Sequence, residues 1–439
     1  MYLDGETEAA VGEMAPSAKR LSVLIVNSLY APFVVGGAEV VAEMLANMLA
    51  AQGQRVSVVS SCSREDGVRV ERRGGVDLYH FFPDNRWWLY ERFLPGDRRS
   101  TIDLVRWRLR DAWNRDAGRK FQDVLRRVRP DVVHTHNIKG FSPIIWHAAR
   151  RNGIPVVHTA HSYELICANG SLLDGSGNSC ASQSRCSTCR VHGAWYRAKA
   201  AAIDVFCSPS QYLLRTHADA GVPLRRVALV RNGVNRPTSS PRSPRRRLDG
   251  RIRYLYMGQL AAHKGIDTLI EAIGLSSGAA LTVDIAGRGD GQGKLEALAR
   301  RDDRVRFHGF VEGHRKEQLL AEADVLIFPS IWVENAPMSI AEAFCFGLPV
   351  IGSRIGAVPE FVEPGSNGLL FEPGNARALA ARMVELSERP DMLVRLQQGA
   401  SESGVSWPTP EAMAAKYLAV YRSLQGRLSD ELRHGAERL

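Results

Sequence analysis

The chain has 439 residues, 45% hydrophobic and 24% charged, with 57 Lys and Arg against 47 Asp and Glu and a formal net charge of +10. That length exceeds one ordinary core and points to two domains of about 200 residues, and the composition excludes a disordered or fibrous protein. The charge favours acidic partners such as nucleic acid, phosphorylated substrates or anionic lipid, and with no run of roughly 18 to 20 apolar residues no segment is expected to span a bilayer.

Residues 1–20 are acidic, small and polar, and are expected to form a loose tail, not a secretory signal. The expected location is therefore cytoplasmic, extending to the inner face of a membrane as a peripheral protein. From residue 21, short apolar runs alternate with amphipathic helical stretches, the pattern of parallel sheets covered by helices. Strands are predicted at 21–26, 54–60, 131–135, 154–159, 204–208 and 226–230. Residues 86–129 hold thirteen Lys or Arg against six Asp or Glu, interleaved with Trp87, Trp88, Tyr90, Phe93, Trp107 and Trp113. Both signs alternate along RWRLRDAWNRDAGRKFQDVLRRVR, which favours a solvated amphipathic helix. The sharper alternative is a face that meets a membrane or a lipid-linked substrate. No recognised motif accompanies the charge, so nucleic acid is not expected as a partner.

A polar insertion at 165–195 carries Cys167, Cys180, Cys186 and Cys189 in the spacing C-x12-C-x5-C-x2-C. Without a secretory signal such clustering favours a metal over disulfides. Tetrahedral thiolate ligation of a structural zinc would order a loop with little core of its own; two disulfides or free thiols are the alternatives. Residues 232–250, rich in Pro, Ser and Arg, read as a solvated linker. A second set of strands follows at 252–258, 281–287, 304–309, 323–330, 348–353 and 368–371, so each half is expected to build its own doubly wound sheet. The helical stretch 409–424 presents apolar residues at 413, 417, 418, 420, 421 and 424 and needs a partner surface; 425–439 is expected to be a tail.

Ligands of open α/β sheets bind at the carboxyl ends of the strands, where PSIWVENAPMSIAEAFCFGLPV, residues 329–350, places Glu334 and Glu342 across the start of a helix. Pro337 suits the first turn because its missing N–H is not needed there, and the unpaired N–H groups would suit a diphosphate. Ser339 and Glu342 also have the S-x-x-E spacing of a capping box, in which Glu342 folds back onto the backbone. Residue physics leaves both readings open. Gly36 and Gly37 after the first strand would let the backbone approach a phosphate or sugar, or simply make a turn. AGRGDGQG, 286–293, is not a dinucleotide fingerprint because G-x-G-x-x-G fails at Gln292, which removes the main support for hydride transfer. No Asp-x-Asp pair that could hold Mg or Mn occurs, so a catalytic metal is not expected either, which leaves no cofactor expected for catalysis.

PSIWVENAPMSIAEAFCFGLPVIGSRIGAVPE resembles the donor-site signature of retaining glycosyltransferases of family 4, with its E-x7-E motif. YAPFVVGGAE, HTAHSYELIC, RNGVN, MGQLAAHKGIDTLIEAI and SNGLLFEPGN fall in the family's order, covering most of 21–424. The resemblance implies a GT-B fold, two Rossmann-like domains facing a cleft. An acceptor-side domain at 21–231 would precede a nucleotide-sugar-binding domain at 251–408, and the helix 409–424 would cross back to the first. It implies that Glu342 holds the donor ribose, and that Glu334 holds hydroxyls of the transferred sugar with Asn335, Ala336, Pro337 and Met338 beside it. His161 would lie against the donor sugar and Lys264 on the diphosphate. Gln259 stands where the family usually has Arg, so Arg288 is a candidate to supply the missing charge, and Ser162 replaces the usual Asp after the histidine. The expected activity is retaining glycosyl transfer from a nucleotide-diphosphate sugar to a glycan or lipid-linked acceptor. A nucleotide-sugar epimerase on the same fold, or a non-catalytic zinc-bearing binding protein at a membrane, are the competing readings.

Overall fold

The computed structural model describes residues 19–93, 99–174, 180, 186–237 and 250–436. Residues 1–18 and 437–439 of the expected tails, 238–249 of the linker, and 175–179 and 181–185 of the Cys insertion lie outside the described residues.

Two sheets organise the chain. The first contains β1 (Ser22–Val26), β2 (Arg55–Ser61), β3 (Arg69–Arg73), β4 (Val76–Phe81), β5 (Val132–Thr135), β6 (Val156–Thr159), β7 (Val205–Ser208) and β8 (Val227–Leu229) in the order β3-β4-β2-β1-β5-β6-β7-β8. The second contains β9 (Ile252–Met257), β10 (Leu281–Ala286), β11 (Val305–Gly309), β12 (Val325–Phe328), β13 (Val350–Ser353) and β14 (Gly368–Phe371) in the order β11-β10-β9-β12-β13-β14. Every described pairing is parallel except β3 with β4. β1, β5, β10 and β12 are buried along their whole length and largely apolar, as parallel strands under helices must be, with Asp284 and His134 among the few polar exceptions. Strand order reverses between β1 and β5 in one sheet and between β9 and β12 in the other, which puts the ligand crevice of each domain beyond those strand ends.

All twelve expected strands form, with ends shifted by a residue or two. The hairpin β3–β4 was not expected. β3 is an exposed edge strand made largely of arginine, charge that discourages pairing with another chain. The single amphipathic helix expected through 106–129 is two, Thr101–Ala112 and Arg115–Val128. The break falls at Trp113, and Asn114 caps the second helix by accepting from the Ala117 N–H at 3.1 Å.

The last helix runs Pro410–Ala436, so residues 425–436, expected in a tail, are helical. It lies on the first domain: Met413, Ala414, Tyr417, Leu418, Tyr421 and Leu424 are buried in one core with Val23, Ile25, Val132 and Val205. Each large apolar side chain so buried contributes roughly 1.5–3 kcal/mol. Polar register is fixed by Tyr421 OH against His134 Nδ1 at 2.7 Å, Tyr417 OH against Thr159 Oγ1 at 3.0 Å, and Gln425 Nε2 donating to the Asp131 carbonyl at 3.0 Å. Glu360 ties the domains again. Its carboxylate, from the second domain, accepts from the Gln211 and Tyr212 N–H groups at 3.0 and 3.1 Å, serving orphan donors at the start of the first-domain helix Gln211–Asp219.

Candidate active site

The site assembles at the end of β12. Pro329 ends the strand, and the loop to Pro337 returns into the helix Met338–Cys345 with Pro337 as N-cap. That start decides against the capping box at Ser339. Instead the Glu342 carboxylate accepts from Lys316 Nζ at 2.6 Å, from the helix Gly313–Glu322. Two glycines let backbones close on the loop. Gly356, at φ +56°, lies so near that a Cβ would meet the Glu334 N and O atoms at 2.5 Å, and the Ala357 N–H donates to the Glu334 carbonyl at 2.8 Å. Gly265, at φ +77°, sits where a Cβ would meet the Pro329 carbonyl oxygen at 1.8 Å, which brings Lys264 beside the loop.

Lys264 and Glu334, each expected at the donor, touch one another: Lys264 Nζ donates to Glu334 Oε1 at 2.7 Å. Ser330 Oγ donates to the same oxygen at 2.8 Å, and the ammonium lies 4.6 Å over the Trp332 ring. Glu334 is only 4% exposed, and Lys264 and Ser330 stand around its carboxylate in place of water.

The first domain closes on the same loop. Asn335 Nδ2 donates to the His161 carbonyl at 2.9 Å, Tyr163 OH donates to the Val333 carbonyl at 2.9 Å, and Trp332 Nε1 donates to the Ser171 carbonyl. The His161 ring stacks on His136, with His161 Nε2 and His136 Nδ1 2.8 Å apart. Desolvation pushes His161 down to about 4 and His136 well below the ordinary imidazole value, so both are neutral at pH 7. A Cβ on Gly37 would come within 3.8 Å of Met338 Cγ, so the helices Gly37–Ala51 and Met338–Cys345 bring their N-termini together across the domain boundary. The Gly36 N–H is occupied by Glu39 Oε2 at 2.8 Å.

The remaining expected residues are placed differently. Gln259 is exposed, and its carbonyl accepts from Tyr256 OH at 2.7 Å. The Arg288 guanidinium stacks 4.0 Å over Phe310. Neither is joined to the Lys264–Glu334 pair by a hydrogen bond among the described residues. Cys189 and Cys167 are in contact, Sγ to Sγ 3.8 Å, while Cys180 and Cys186 are exposed. The Cys186 thiol is lowered chiefly by the Cys189 backbone N–H. Among the described residues no three side chains of the metal-ligating types close into a cage, so the expected four-thiolate cage is represented by one contact pair. Three contributors were not anticipated: Lys316 on Glu342, Ser330 on Glu334, and His136 behind His161. The sequence signals were the PS turn for Ser330 and the HTHN run at 134–137 for His136; nothing in the sequence linked Lys316 to Glu342.

Comparison with known proteins follows this division. Residues 35–236 match the family Glycosyltransferase Family 4, and residues 242–403 match Glycosyl transferases group 1. An uncharacterized 42.6 kDa protein of the cps region of Klebsiella pneumoniae is 26% identical over 345 residues, 77% of this chain and 87% of that protein. The glycogen synthase of Mycobacterium tuberculosis is 27% identical over 422 residues, 92% of this chain and 95% of its own length. The amylovoran biosynthesis glycosyltransferase AmsK of Erwinia amylovora is 32% identical over 178 residues, only 38% of this chain and 44% of that protein. In fold, sucrose-phosphate synthase from Thermosynechococcus elongatus superposes with a TM-score of 0.70 at 19% identity, covering 93% of this chain and all of that one. Anabaena HepE in complex with UDP superposes with a TM-score of 0.65 at 16% identity, covering 92% and 100%. One glycosyltransferase family match thus falls on each sheet, 35–236 on the first and 242–403 on the second, and the two sheets together have the GT-B fold of the superposed structures.

Proposed function

We propose that the chain is a retaining glycosyltransferase that needs no metal for catalysis and moves a sugar from a nucleotide-diphosphate donor to an acceptor hydroxyl, in building a polysaccharide or a lipid-linked glycan. The observation that carries this is the pair of half-buried Lys264 with buried Glu334 at the strand-order reversal of the second sheet, beside His161 of the first domain. The relatives named for glycogen and amylovoran synthesis support the product class, and the UDP complex of the HepE fold supports the donor class.

In this reading the diphosphate lies between the facing N-termini of the helices Gly37–Ala51 and Met338–Cys345, whose dipoles favour an anion. Lys264 supplies the positive charge. The Glu342 carboxylate, beside Lys316, meets the ribose hydroxyls. Glu334 and the Asn335 amide meet hydroxyls of the sugar; Asn335 Oδ1 is buried with no partner among the described residues and would be satisfied there. The bond from the anomeric carbon to the leaving phosphate oxygen breaks with its electron pair going to the diphosphate. The acceptor oxygen bonds to that carbon on the same face, and its proton passes to the departing phosphate. The protein contributes orientation and charge. Neutral His161, held against His136, orients the sugar and does not act as an acid.

A thermal-shift panel of UDP, GDP, ADP and TDP sugars tests the donor class: one nucleotide family is expected to raise Tm, since only a ligand of the folded state stabilises it. No shift with any of them sinks the reading.

We also propose that a structural zinc joins Cys167, Cys180, Cys186 and Cys189. The 3.8 Å Cys167–Cys189 contact equals the edge of a tetrahedron of about 2.3 Å Zn–S bonds. Purified protein is expected to contain one zinc per chain, and a chelator should expose four titratable thiols and lower Tm. Protein free of zinc with all four thiols reactive at the outset excludes it.

A further inference from the structure

We infer that the outer face of the helix Thr101–Ala112, continued by the helix Ser187–Ala200, is a docking surface for an anionic lipid bilayer. The first helix is anchored by one face, where Trp107 and Asp111 are buried. The face turned away should be polar, yet Ile102, Val105 and Leu109 stand on it at helical spacing, Ile102 and Leu109 being 64% and 71% exposed. Val191, 73% exposed, and Trp195 stand one turn apart on the second helix. The two helices meet where Trp195 Nε1 donates to the Ala112 carbonyl at 2.8 Å, so the apolar stripe extends from one to the other. Trp113 packs edge-on against Trp195, and Lys199 Nζ lies 4.8 and 4.4 Å over the two rings.

Charge selects the occupant. On the two helices Arg106, Arg108, Arg110, Arg190 and Lys199 stand against Asp103, since Arg197, whose Nη1 is buried, and Asp111, which accepts from the Gly140 N–H at 2.8 Å, are turned inward. Exposed aliphatic side chains with tryptophan at their edge and a basic surround match an anionic bilayer interface: the apolar groups enter the acyl boundary, and the long cationic side chains reach phosphates. A protein partner would more often present a compact buried centre than a stripe along two helices.

The surface also adjoins the cleft. Asn85 Nδ2 donates to the Trp107 carbonyl and Arg108 Nη2 to Asn169 Oδ1, so the first helix lies over the loops that follow β4 and β6. A membrane at this face would deliver a lipid-anchored acceptor to the first-domain side of the site, a purpose that rests on the lipid-linked acceptor proposed above; docking itself does not.

Sedimentation with phosphatidylcholine vesicles, with and without phosphatidylglycerol, tests the surface. The full chain is expected to bind only the anionic vesicles. The variant Ile102→Ser/Val105→Ser/Leu109→Ser should bind them at least about tenfold more weakly, and Arg106→Gln/Arg190→Gln should lose binding in proportion to salt sensitivity. Both variants should keep the thermal shift given by the donor nucleotide, which reports an intact fold and donor site. A wild type that stays in the supernatant overturns the proposal, as does variant binding equal to wild type. So does a wild-type dimer that the triple serine variant dissociates while vesicle binding is absent, because the face would then join two copies. Vesicle binding without any nucleotide shift leaves the docking surface standing and removes the donor reading instead.

Discussion

Replacing Lys264 by Ala is expected to lower kcat by about 100- to 1000-fold, the usual loss when one preorganised donor of transition-state charge is removed. Its ammonium, 2.7 Å from Glu334, balances that carboxylate, and in the proposed complex it answers the charge growing on the leaving diphosphate. Glu334→Gln should fall in the same range. It keeps a group that Ser330 Oγ can donate to but removes the charge that orients both Lys264 and the sugar. Nucleoside diphosphate release measures both, with a thermal melt as the control for folding. Because Lys264→Ala leaves a buried carboxylate without its cation, its Tm should also fall, more than that of Glu334→Gln. Turnover within a factor of about two of wild type in either variant contradicts the assignment.

Gly356→Ala acts on the same loop through the backbone. The added Cβ would lie 2.5 Å from both N and O of Glu334, at a φ of +56° that side chains resist. The expected cost is about 2–4 kcal/mol of stability, overpacking added to backbone strain. Displacing Glu334 by as little as roughly 1 Å should lower kcat by about 100-fold. Gly374→Ala is the control: its φ is +76°, but its Cβ would meet only Ile331 Cγ2 at 3.9 Å. It should cost about 1 kcal/mol from strain alone and leave kcat unchanged. Urea melts and kcat values that do not separate the two variants would contradict the view that Gly356 exists to admit the Glu334 backbone.

The parallel strands were legible because each is a short apolar run between helices, and burial on both faces writes that run directly into the sequence. The hairpin β3–β4 was not, because RVERR is an edge strand with an exposed, charged composition. The Gly74-Gly75 turn between the strands, with φ of +58° and +83°, was the available signal for a tight hairpin. The helix break at Asn114 hid inside an unbroken run of mixed charge, although Asn is a strong N-cap. In the candidate site, motif order along the chain singles out Glu334, Glu342, Lys264 and His161, and of these the structure joins Lys264 to Glu334. Their partners follow from three-dimensional proximity that spacing does not encode. Lys316 lies 26 residues before Glu342 and reaches it from another helix. Asn335, expected beside Glu334 at the donor sugar, spends its amide N–H on the His161 carbonyl of the other domain. Glu360, unremarkable in GAVPEF, caps a first-domain helix 149 residues earlier.

The most direct measurement is a crystal structure with a nucleoside diphosphate bound. The account predicts the diphosphate between the N-termini of the helices Gly37–Ala51 and Met338–Cys345, Lys264 Nζ turned from Glu334 onto a phosphate oxygen, and the Glu342 carboxylate on the ribose hydroxyls. A nucleotide bound elsewhere, or bound here with Lys264 still paired to Glu334 and Glu342 away from the ribose, would contradict it.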